Sequence, residues 1–312
     1  MPDTVKRMVV FGDSNADTGN MQKLSNGTSP GSASFKGRYC EGQIFTDLLS
    51  EKYNIQLETL AYGGATINND NVSRIIKTGK DLICVPGAKQ QIERYFAAQR
   101  ETSTATDLHT NFPEKSTAHS SEISKCYLLY VGSNDFTSEM FPDMFAETKR
   151  LSSIERAAEV RSLVDLLVSS TPETKVKIIV VGMRPREDYP GIVGACSKPG
   201  SKFSRESVQS GVVEFNTELK SLIDEAICAH SSKASIVFYD IYSRMKQIAS
   251  NASIFGFDND TSKTFSQNSL STNHFSDPVT GNFLFWDSYH LGHKAQIIIM
   301  QDLENLAPDY FS

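Results

Sequence analysis

Short apolar runs alternate with longer amphipathic stretches over most of the chain. Each run is rich in apolar residues and ends at a glycine, an aspartate or a polar turn. Runs of this kind predict buried β-strands. The predicted strands cover residues 8–11, 56–61, 126–131, 176–181 and 235–239.

The stretches between these runs repeat their apolar residues at intervals of three and four, which indicates amphipathic α-helices. The clearest stripe consists of Ile154, Ala157, Val160, Val164 and Leu167. The predicted helices cover residues 43–53, 88–99, 154–169 and 208–229. Because strands and helices alternate, we expect an α/β fold in which a five-stranded parallel sheet is covered on both faces.

Three irregular segments break the alternation, at residues 23–40, 102–124 and 255–285. The first two are rich in small polar residues, and we predict that they are surface insertions. The third is also rich in aromatic residues, so we expect it to pack on the body of the protein; they are Phe255, Phe257, Phe265, Phe275, Phe283 and Phe285. Since no internal repeat or proline-rich linker occurs, we predict a single domain over residues 1–312.

Composition and charge narrow the possible partners. The net charge is -6, and no Lys/Arg cluster is longer than two residues, so we expect no nucleic-acid partner. No run reaches the roughly 18 apolar residues of a membrane span. The five cysteines are odd in number and form no CxxC pair, which favours reduced and mostly buried thiols over a zinc or redox site.

The start of the chain, MPDTVKRMVVFGDS, passes from polar residues into an apolar run that is too short for a signal-peptide core. The sequence as written therefore predicts a cytoplasmic protein, whereas removal of a leader would make it a secreted one. Asn26, Asn71, Asn251 and Asn259 each begin an N-x-S/T sequon, which matters only in the secreted case.

The first predicted strand runs into Gly12, Asp13 and Ser14. This order places a serine at the carboxyl end of a strand, where open α/β sheets keep their ligand sites. If a helix begins just beyond Ser14, its first N–H groups and its dipole would face an oxyanion formed at the serine. Ser14 is thus a candidate nucleophile, although a GDS tripeptide on its own is also an ordinary turn.

Near the other end of the chain, Asp287 precedes His290 by three residues. On one helical turn or one loop the carboxylate could orient the imidazole, which leaves the second ring nitrogen free to act as a base for a serine. The structural alternative is a helix N-terminus capped by Asp287. A metal site with His293 is a further alternative, but positions 287 and 293 would not share one helix face.

Two further turns follow predicted strands, AYGGAT at residues 61–66 and VGSND at residues 131–135. A glycine lets its backbone N–H approach an oxyanion closely, and an asparagine amide supplies a second neutral donor. With the Ser14 amide these groups would make three donors. Each turn taken alone has a purely structural explanation.

The segments FGDSNADTGN, LAYGGAT, GSND and DSYH occur in the order of the conserved blocks of the GDSL esterases and lipases, also called SGNH hydrolases, and the chain resembles that family. The resemblance implies that Ser14 is the nucleophile and an oxyanion-hole donor. It implies that Gly64 and Asn134 are the other two donors, and that Asp287 and His290 are the acid and the base. It also implies a flavodoxin-like fold and a reaction that needs no metal or cofactor.

The resemblance extends over nearly the whole chain, since GRYCEGQIFTDLL and VVGMRPREDYPG are similar to further family segments. Thr59 stands where the second block often has Asn, and Leu291–Gly292 replaces the usual Pro-Thr after the histidine. Neither change removes a catalytic group, so we expect altered loop geometry and retained activity.

The stretch after GSND is a candidate acyl-binding groove, because Phe136, Met140, Phe141, Met144 and Phe145 follow the predicted catalytic turn. A helix packed on the core would explain the same residues. We therefore predict a Ser-His-Asp ester hydrolase that acts on lipid or lysophospholipid esters. The alternatives are a carbohydrate or small-molecule acetylesterase, an acyltransferase, and a binding module that has kept the fold but lost catalysis.

Overall fold

A computed structural model describes residues 4–107, 124–172, 175–267 and 282–311. The β-strands of this part of the chain are β1 (Arg7–Gly12), β2 (Gln56–Thr59), β3 (Val72–Thr78), β4 (Asp81–Cys84), β5 (Lys125–Tyr130), β6 (Phe145–Glu147), β7 (Val176–Val181) and β8 (Ala234–Tyr239). The α-helices are α1 (Asn20–Leu24), α2 (Phe45–Tyr53), α3 (Ala88–Asp107), α4 (Ser133–Met140), α5 (Ser153–Ser170), α6 (Pro190–Cys196), α7 (Arg205–Ala229), α8 (Ile241–Ser250), α9 (His293–Leu306) and α10 (Pro308–Phe311).

The main sheet has five parallel strands in the order β2-β1-β5-β7-β8. Numbered along the chain within this sheet, the order is 2-1-3-4-5, which is the flavodoxin-like arrangement. Helices α3, α5 and α7 contact one another as one layer, and α2 and α9 contact each other as a second layer, so helices cover both faces. The predicted α/β class and five-stranded parallel sheet are therefore confirmed.

The inner strands of the main sheet form where the apolar runs predict them because these runs are buried from both sides, whereas the edge strand β2 is only partly buried. Val9, Val10 and Phe11 of β1 are fully buried, as are Ile178 and Ile179 of β7. A strand covered on both faces needs apolar residues at successive positions, which explains why these strands show continuous runs and no alternation. The four predicted helices are confirmed as α2, α3, α5 and α7; their ends differ from the prediction by up to three residues, except that α3 continues eight residues beyond the predicted end at residue 99.

A second, antiparallel sheet of three short strands, in the order β4-β3-β6, was not predicted from the sequence. Its strands mix charged and apolar residues, and Leu82 in β4 is 74% exposed. A strand that is only half covered and is not strictly alternating leaves no clear periodic signal. Strand β3 of this small sheet carries Arg74, which lines the same cavity as Ser14.

The structure changes the interpretation of the irregular segments. The segment 23–40 is more than a surface insertion, because Cys40 is buried and Ser25, Ser29 and Tyr39 line the same cavity as Ser14. The segment 102–124 begins as the last turns of α3, while residues 108–123 lie outside the described residues.

The described parts of the segment 255–285 do pack on the body, as expected. Phe257 and Phe285 are buried, and Phe285 forms β-bridges to Thr264 and Leu291. Phe275 lies outside the described residues. Its predicted packing therefore stays a prediction.

The cysteines and the helices bear on two further expectations. All five cysteines are free thiols, but only Cys40 and Cys126 are buried, so the expectation of mostly buried thiols is wrong. Cys84 in β4 and Cys228 in α7 are exposed because both positions face away from the core. Among the described helices, none combines the length and the apolar character that crossing a membrane requires.

Candidate active site

The carboxyl ends of the parallel strands meet at one edge of the main sheet, and the predicted site residues follow these ends. Ser14 lies two residues after β1, and the loop with Gly64 follows β2. Asn134 lies in the first turn of α4, which follows β5. Gly12 ends β1 with a φ of +148°, and a Cβ there would lie 2.0 Å from the Tyr130 carbonyl oxygen. A glycine is thus required where β1 passes β5 toward Ser14.

Ser14 lies in a turn and not at the start of a helix, in contrast to the sequence expectation. The next helix, α1, is five residues long and begins only at Asn20. The turn forms because the Asp13 carboxylate accepts hydrogen bonds from the Asn15 backbone N–H at 3.0 Å and from its side-chain amide at 2.7 Å. The described structure therefore places no helix dipole at Ser14 to stabilise an oxyanion, contrary to the expectation from the sequence.

The structure brings Ser14, His290 and Asp287 into one hydrogen-bonded chain. The Ser14 Oγ and His290 Nε2 atoms are 2.8 Å apart, and His290 Nδ1 is 2.9 Å from both carboxylate oxygens of Asp287. A carboxylate on Nδ1 fixes the tautomer in which Nδ1 carries the proton, so the Nε2 lone pair faces the serine hydroxyl. This geometry is that of a nucleophile with a base and an orienting acid.

Asp287 and His290 lie in a loop before α9, and the alternative of a capped helix terminus is wrong for this pair. Gly292 occupies the N-cap of α9, and Asp287 Oδ1 accepts the backbone N–H groups of Tyr289 and His290 at 2.8 and 2.7 Å. Burial favours a higher pKa for Asp287, but the charge and hydrogen bonds of His290 and these N–H groups hold the pKa below its ordinary value. The carboxylate therefore stays ionised beside the imidazole.

The three residues that carry the candidate oxyanion donors, Ser14, Gly64 and Asn134, line one cavity. Within the described residues, the backbone N–H groups of Ser14 and Gly64 make no hydrogen bond. Asn134 donates one amide hydrogen to the Ala65 carbonyl at 2.9 Å, which leaves its other amide hydrogen free. Gly64 has a φ of +83°, a conformation that a side chain would strain.

Two buried residues that the sequence prediction missed hold these loops together. The Asp17 carboxylate accepts backbone N–H groups from residues 19–21 and from Gly63, next to Gly64. Arg184 Nη2 donates to the Asn15 side-chain oxygen at 2.6 Å and to the Tyr289 carbonyl oxygen at 3.1 Å. Arg184 thus connects the residue after Ser14 with the residue before His290.

Aromatic rings flank the imidazole of His290. The centroid of Tyr39 is 4.6 Å from that of His290, and the centroid of Trp286 is 6.3 Å away. The Tyr39 hydroxyl lies 2.8 Å from the Ser29 hydroxyl, which anchors the ring. These contacts restrict the imidazole to the orientation that faces Ser14.

A family model described as GDSL-like lipase/acylhydrolase matches residues 8–303. The chain belongs to this family. Two GDSL esterase/lipases of Arabidopsis thaliana are each 22% identical to it, over alignments that cover 94% of this chain and 85% of one relative, and 98% of this chain and 93% of the other. A crystal structure of a GDSL-like lipase from Parabacteroides merdae covers 98% of this chain and 97% of its own, with 10% identity and a TM-score of 0.47. Membership of the family makes the protein an enzyme of the esterase/lipase class.

The candidate site of this GDSL hydrolase opens into a cavity of about 500 Å³. Ligand sites for drug-sized molecules have volumes of roughly 300–1,000 Å³, so the cavity exceeds what an acetyl group alone needs. Its apolar wall comes from distant parts of the chain, namely Met21, Ile75, Ile76, Phe141, Met144 and Phe145.

The predicted groove residues divide between two faces of the chain after Asn134. Phe141, Met144 and Phe145 line the Ser14 cavity, but Phe136 and Met140 do not, which corrects the sequence prediction for these two. Phe136 is 7% exposed and packs edge-on against Phe215 at 5.8 Å. The helical period of α4 explains the division on the helix, since Phe136 and Met140 are four residues apart and share one face, whereas Met144 and Phe145 lie beyond the end of α4.

His293 does not extend the candidate triad toward a metal site. Its Nδ1 lies 2.7 Å from the Gln43 carbonyl oxygen, and its backbone N–H donates to Glu41 at 2.9 Å. The ring therefore faces the segment before α2. Among the residues that the structure describes, no group of three His, Cys, Asp or Glu side chains is arranged to hold a metal ion.

Proposed function

We propose that this enzyme hydrolyses carboxylic esters through an acyl-enzyme formed on Ser14. The observation that carries the proposal is the chain of hydrogen bonds from Ser14 through His290 to Asp287, at 2.8 and 2.9 Å. The backbone N–H groups of Ser14 and Gly64, which are unpaired within the described residues, belong to residues of the same cavity. These are the groups that acyl transfer requires: a nucleophile, a base with fixed tautomer and donors for an oxyanion.

The reaction proceeds in two halves. His290 Nε2 takes the proton of the Ser14 hydroxyl while Oγ bonds to the ester carbonyl carbon, and the resulting oxyanion accepts hydrogen bonds from Ser14, Gly64 and Asn134. The tetrahedral intermediate then expels the alcohol oxygen, which takes the proton from His290. A water molecule repeats both steps on the acyl-enzyme, so the carboxylic acid leaves and the Ser14 hydroxyl is restored.

The size and lining of the cavity favour a lipid or lysophospholipid ester over an acetyl ester. An acyl chain against Phe141, Met144 and Phe145 would remove apolar area from water at about 25 cal/mol per Å². Acetate offers little such area. On nitrophenyl esters from acetate to palmitate, we expect kcat/KM to rise beyond acetate; a maximum at acetate would indicate an acetylesterase.

Replacement of the nucleophile tests the mechanism. We expect Ser14→Ala to lower kcat by roughly a thousandfold or more and to abolish labelling by a fluorophosphonate probe. Ser221→Ala, at an exposed position in α7, is the matched control and should keep both properties. A folded Ser14→Ala protein with full activity would refute the mechanism. A folded wild-type protein without labelling would favour a binding module.

A further inference from the structure

The wall of the Ser14 cavity carries more positive than negative charge. Its basic residues are Arg74, Lys77, Arg184 and Arg186. Among the described residues, the one carboxylate in this wall is that of Asp13, which is 1% exposed and is engaged by Asn15. The chain as a whole has a net charge of -6, so general basic composition does not explain the excess. The positive charge is concentrated at the site.

Arg184 is already used within the protein. Its Nη2 group donates to Asn15 and to the Tyr289 carbonyl, and its guanidinium lies 4.7 Å over the Tyr189 ring. These contacts give Arg184 a role in positioning the loops. The other two arginines have fewer internal partners.

Arg186 is a buried guanidinium with an unused donor. Its side chain is 2% exposed, its Nη2 donates to the Thr137 hydroxyl at 3.0 Å, and its Nε makes no hydrogen bond within the described structure. The Thr137 contact places the Nη2 end at the Ser14 cavity, which Thr137 also lines. Burial lowers the pKa of Arg186 to about 10, so the group remains charged at neutral pH.

The carboxylates nearest to Arg186 are occupied by other cations. Glu139 pairs with Arg156, and Glu187 pairs with Lys246 at 2.7 Å. Among the described residues, Arg186 makes no ion pair of its own. A buried charge without a paired counter-ion is costly, so a bound anion would stabilise this arrangement.

Arg74 lies on β3, beside the candidate oxyanion loop. A Cβ at Gly64 would be 3.0 Å from Arg74 Cγ, so the side chain passes directly over that glycine. Its Nη1 donates to the Met144 carbonyl at 2.7 Å, and its guanidinium lies 5.3 Å over the Phe145 ring. No ion pair of Arg74 occurs within the described part of the chain. Its remaining N–H groups are available to a ligand.

We propose that Arg74 and Arg186 form an anion-binding subsite, which selects ester substrates that carry a carboxylate or phosphate group beyond the ester bond. The inference rests on the proposed ester hydrolysis at Ser14. An arginine offers paired N–H donors to a carboxylate or a phosphate, and charge-assisted hydrogen bonds are stronger than neutral ones. Neutral esters would occupy the same cavity without this contribution.

Matched substrates separate charge recognition from ester hydrolysis. The acyl-side pair is 4-nitrophenyl butyrate and mono-4-nitrophenyl glutarate, and the alcohol-side pair is monooctanoylglycerol and octanoylglycerol 3-phosphate. We expect the wild type to prefer the anionic member of one pair, which identifies the source of the anion. Arg74→Gln should lower the anionic-to-neutral ratio of kcat/KM by roughly tenfold or more. Lys220→Gln, an exposed charge on α7, is the control.

Arg186 needs a conservative variant because it is buried. Arg186→Lys keeps the charge but loses the paired donors, and we expect it to lower the same ratio by several-fold. Thermal unfolding midpoints verify that each variant is folded. If Arg74→Gln and Arg186→Lys reduce kcat/KM equally for neutral and anionic esters, the anion-binding subsite is refuted while ester hydrolysis stands.

A binding measurement does not depend on turnover. Calorimetric titration of folded Ser14→Ala protein with octyl phosphate, octanoate and octanol compares two anions with a neutral analogue. We expect at least one anion to bind more tightly than octanol, with a Kd that rises roughly tenfold in the Ser14→Ala, Arg74→Gln double variant. Equal affinity for all three ligands would contradict the subsite. Binding of an anion to a protein that hydrolyses no ester would support the subsite and reject the proposed function.

Discussion

At the scale of single residues, the proposed catalysis at Ser14 depends on the relative position of two loops, one after β1 and one before α9. Arg184 is 2% exposed, and one of its nitrogen atoms bonds to both loops, at Asn15 and at the Tyr289 carbonyl. These partners are the direct neighbours of Ser14 and His290. We infer that Arg184 is a positioning residue for Ser14 and His290, the proposed nucleophile and its proposed base.

We expect Arg184→Gln to lower kcat by roughly 100-fold while KM for a neutral ester changes little, because a displacement of about 1 Å at reacting groups has an effect of this size. The rate of fluorophosphonate labelling should fall in parallel. Arg244→Gln removes a half-buried arginine that pairs with Asp302 away from the cavity, and it should change stability alone. A normal kcat in folded Arg184→Gln protein would exclude the positioning role.

The sequence predicted the polar residues that meet at the cavity but missed those that hold them in place. Ser14, Gly64, Asn134, Asp287 and His290 stand in short motifs, so their convergence could be predicted from motif order. Arg184 and Asp17 act largely through backbone atoms of distant segments. No local pattern encodes such contacts, because they exist only after the loops have met.

At the scale of elements, the helical period of α4 determines which side chains face the substrate cavity. Ser133, Asn134, Thr137 and Phe141 line the cavity, while Met140 faces a separate depression next to the core. Two adjacent apolar residues thus have different surroundings. This contrast supplies a matched pair of substitutions.

We expect Phe141→Ala to lower kcat/KM for a medium-chain ester by roughly tenfold and to leave acetate hydrolysis nearly unchanged, because the acyl chain loses an apolar contact. Met140→Ala should leave the ratio between the two substrates intact and reduce the free energy of unfolding by about 1–3 kcal/mol. An acyl-chain series on both variants measures the first effect, and urea unfolding measures the second. A change of chain-length preference in Met140→Ala would speak against this assignment of faces.

Strand prediction succeeded for the main sheet, most clearly for its doubly covered inner strands, and failed for the small antiparallel sheet. Strands such as β1 and β7 lie between two helix layers, and their continuous apolar residues identify them. The small sheet with β3 is half covered, and its residues alternate imperfectly between Ile75, Ile76 and charged neighbours. Its position over the cavity depends on tertiary contacts, which the periodicity of a single strand does not contain.

At the scale of the whole molecule, Asp135 in α4 contacts the segment that follows Gly64. We expect its titration to make the stability of the fold pH-dependent. Its carboxyl group is 4% exposed and lies 3.1 Å from the Ile67 backbone nitrogen. Burial raises the pKa of Asp135 to about 7, against an opposing effect of Arg156. The native state thus keeps this proton at pH values where the unfolded chain has lost it.

The sign of the effect follows from the proton balance. Between about pH 4 and pH 7 the unfolded state binds fewer protons at this position, so the free energy of unfolding falls as the pH rises, by an amount on the order of 4 kcal/mol. We expect Asp135→Asn to remove this slope, as measured by urea unfolding across the same range. Asp81→Asn, at an exposed position in β4, should retain it. Identical slopes in wild type and Asp135→Asn would disprove the assignment.

The hydrogen bond between Ser14 and His290 joins positions that are 276 residues apart in the chain. During synthesis on a ribosome, β1 and its serine emerge first, and the histidine emerges only after every strand of the main sheet has been made. The proposed nucleophile is therefore made without its proposed base until the last strand of the main sheet has been made. If Ser14 and His290 act as proposed, a nascent chain cannot attack esters around the ribosome before the whole sheet can assemble, and the chain order acts as a delay on activation.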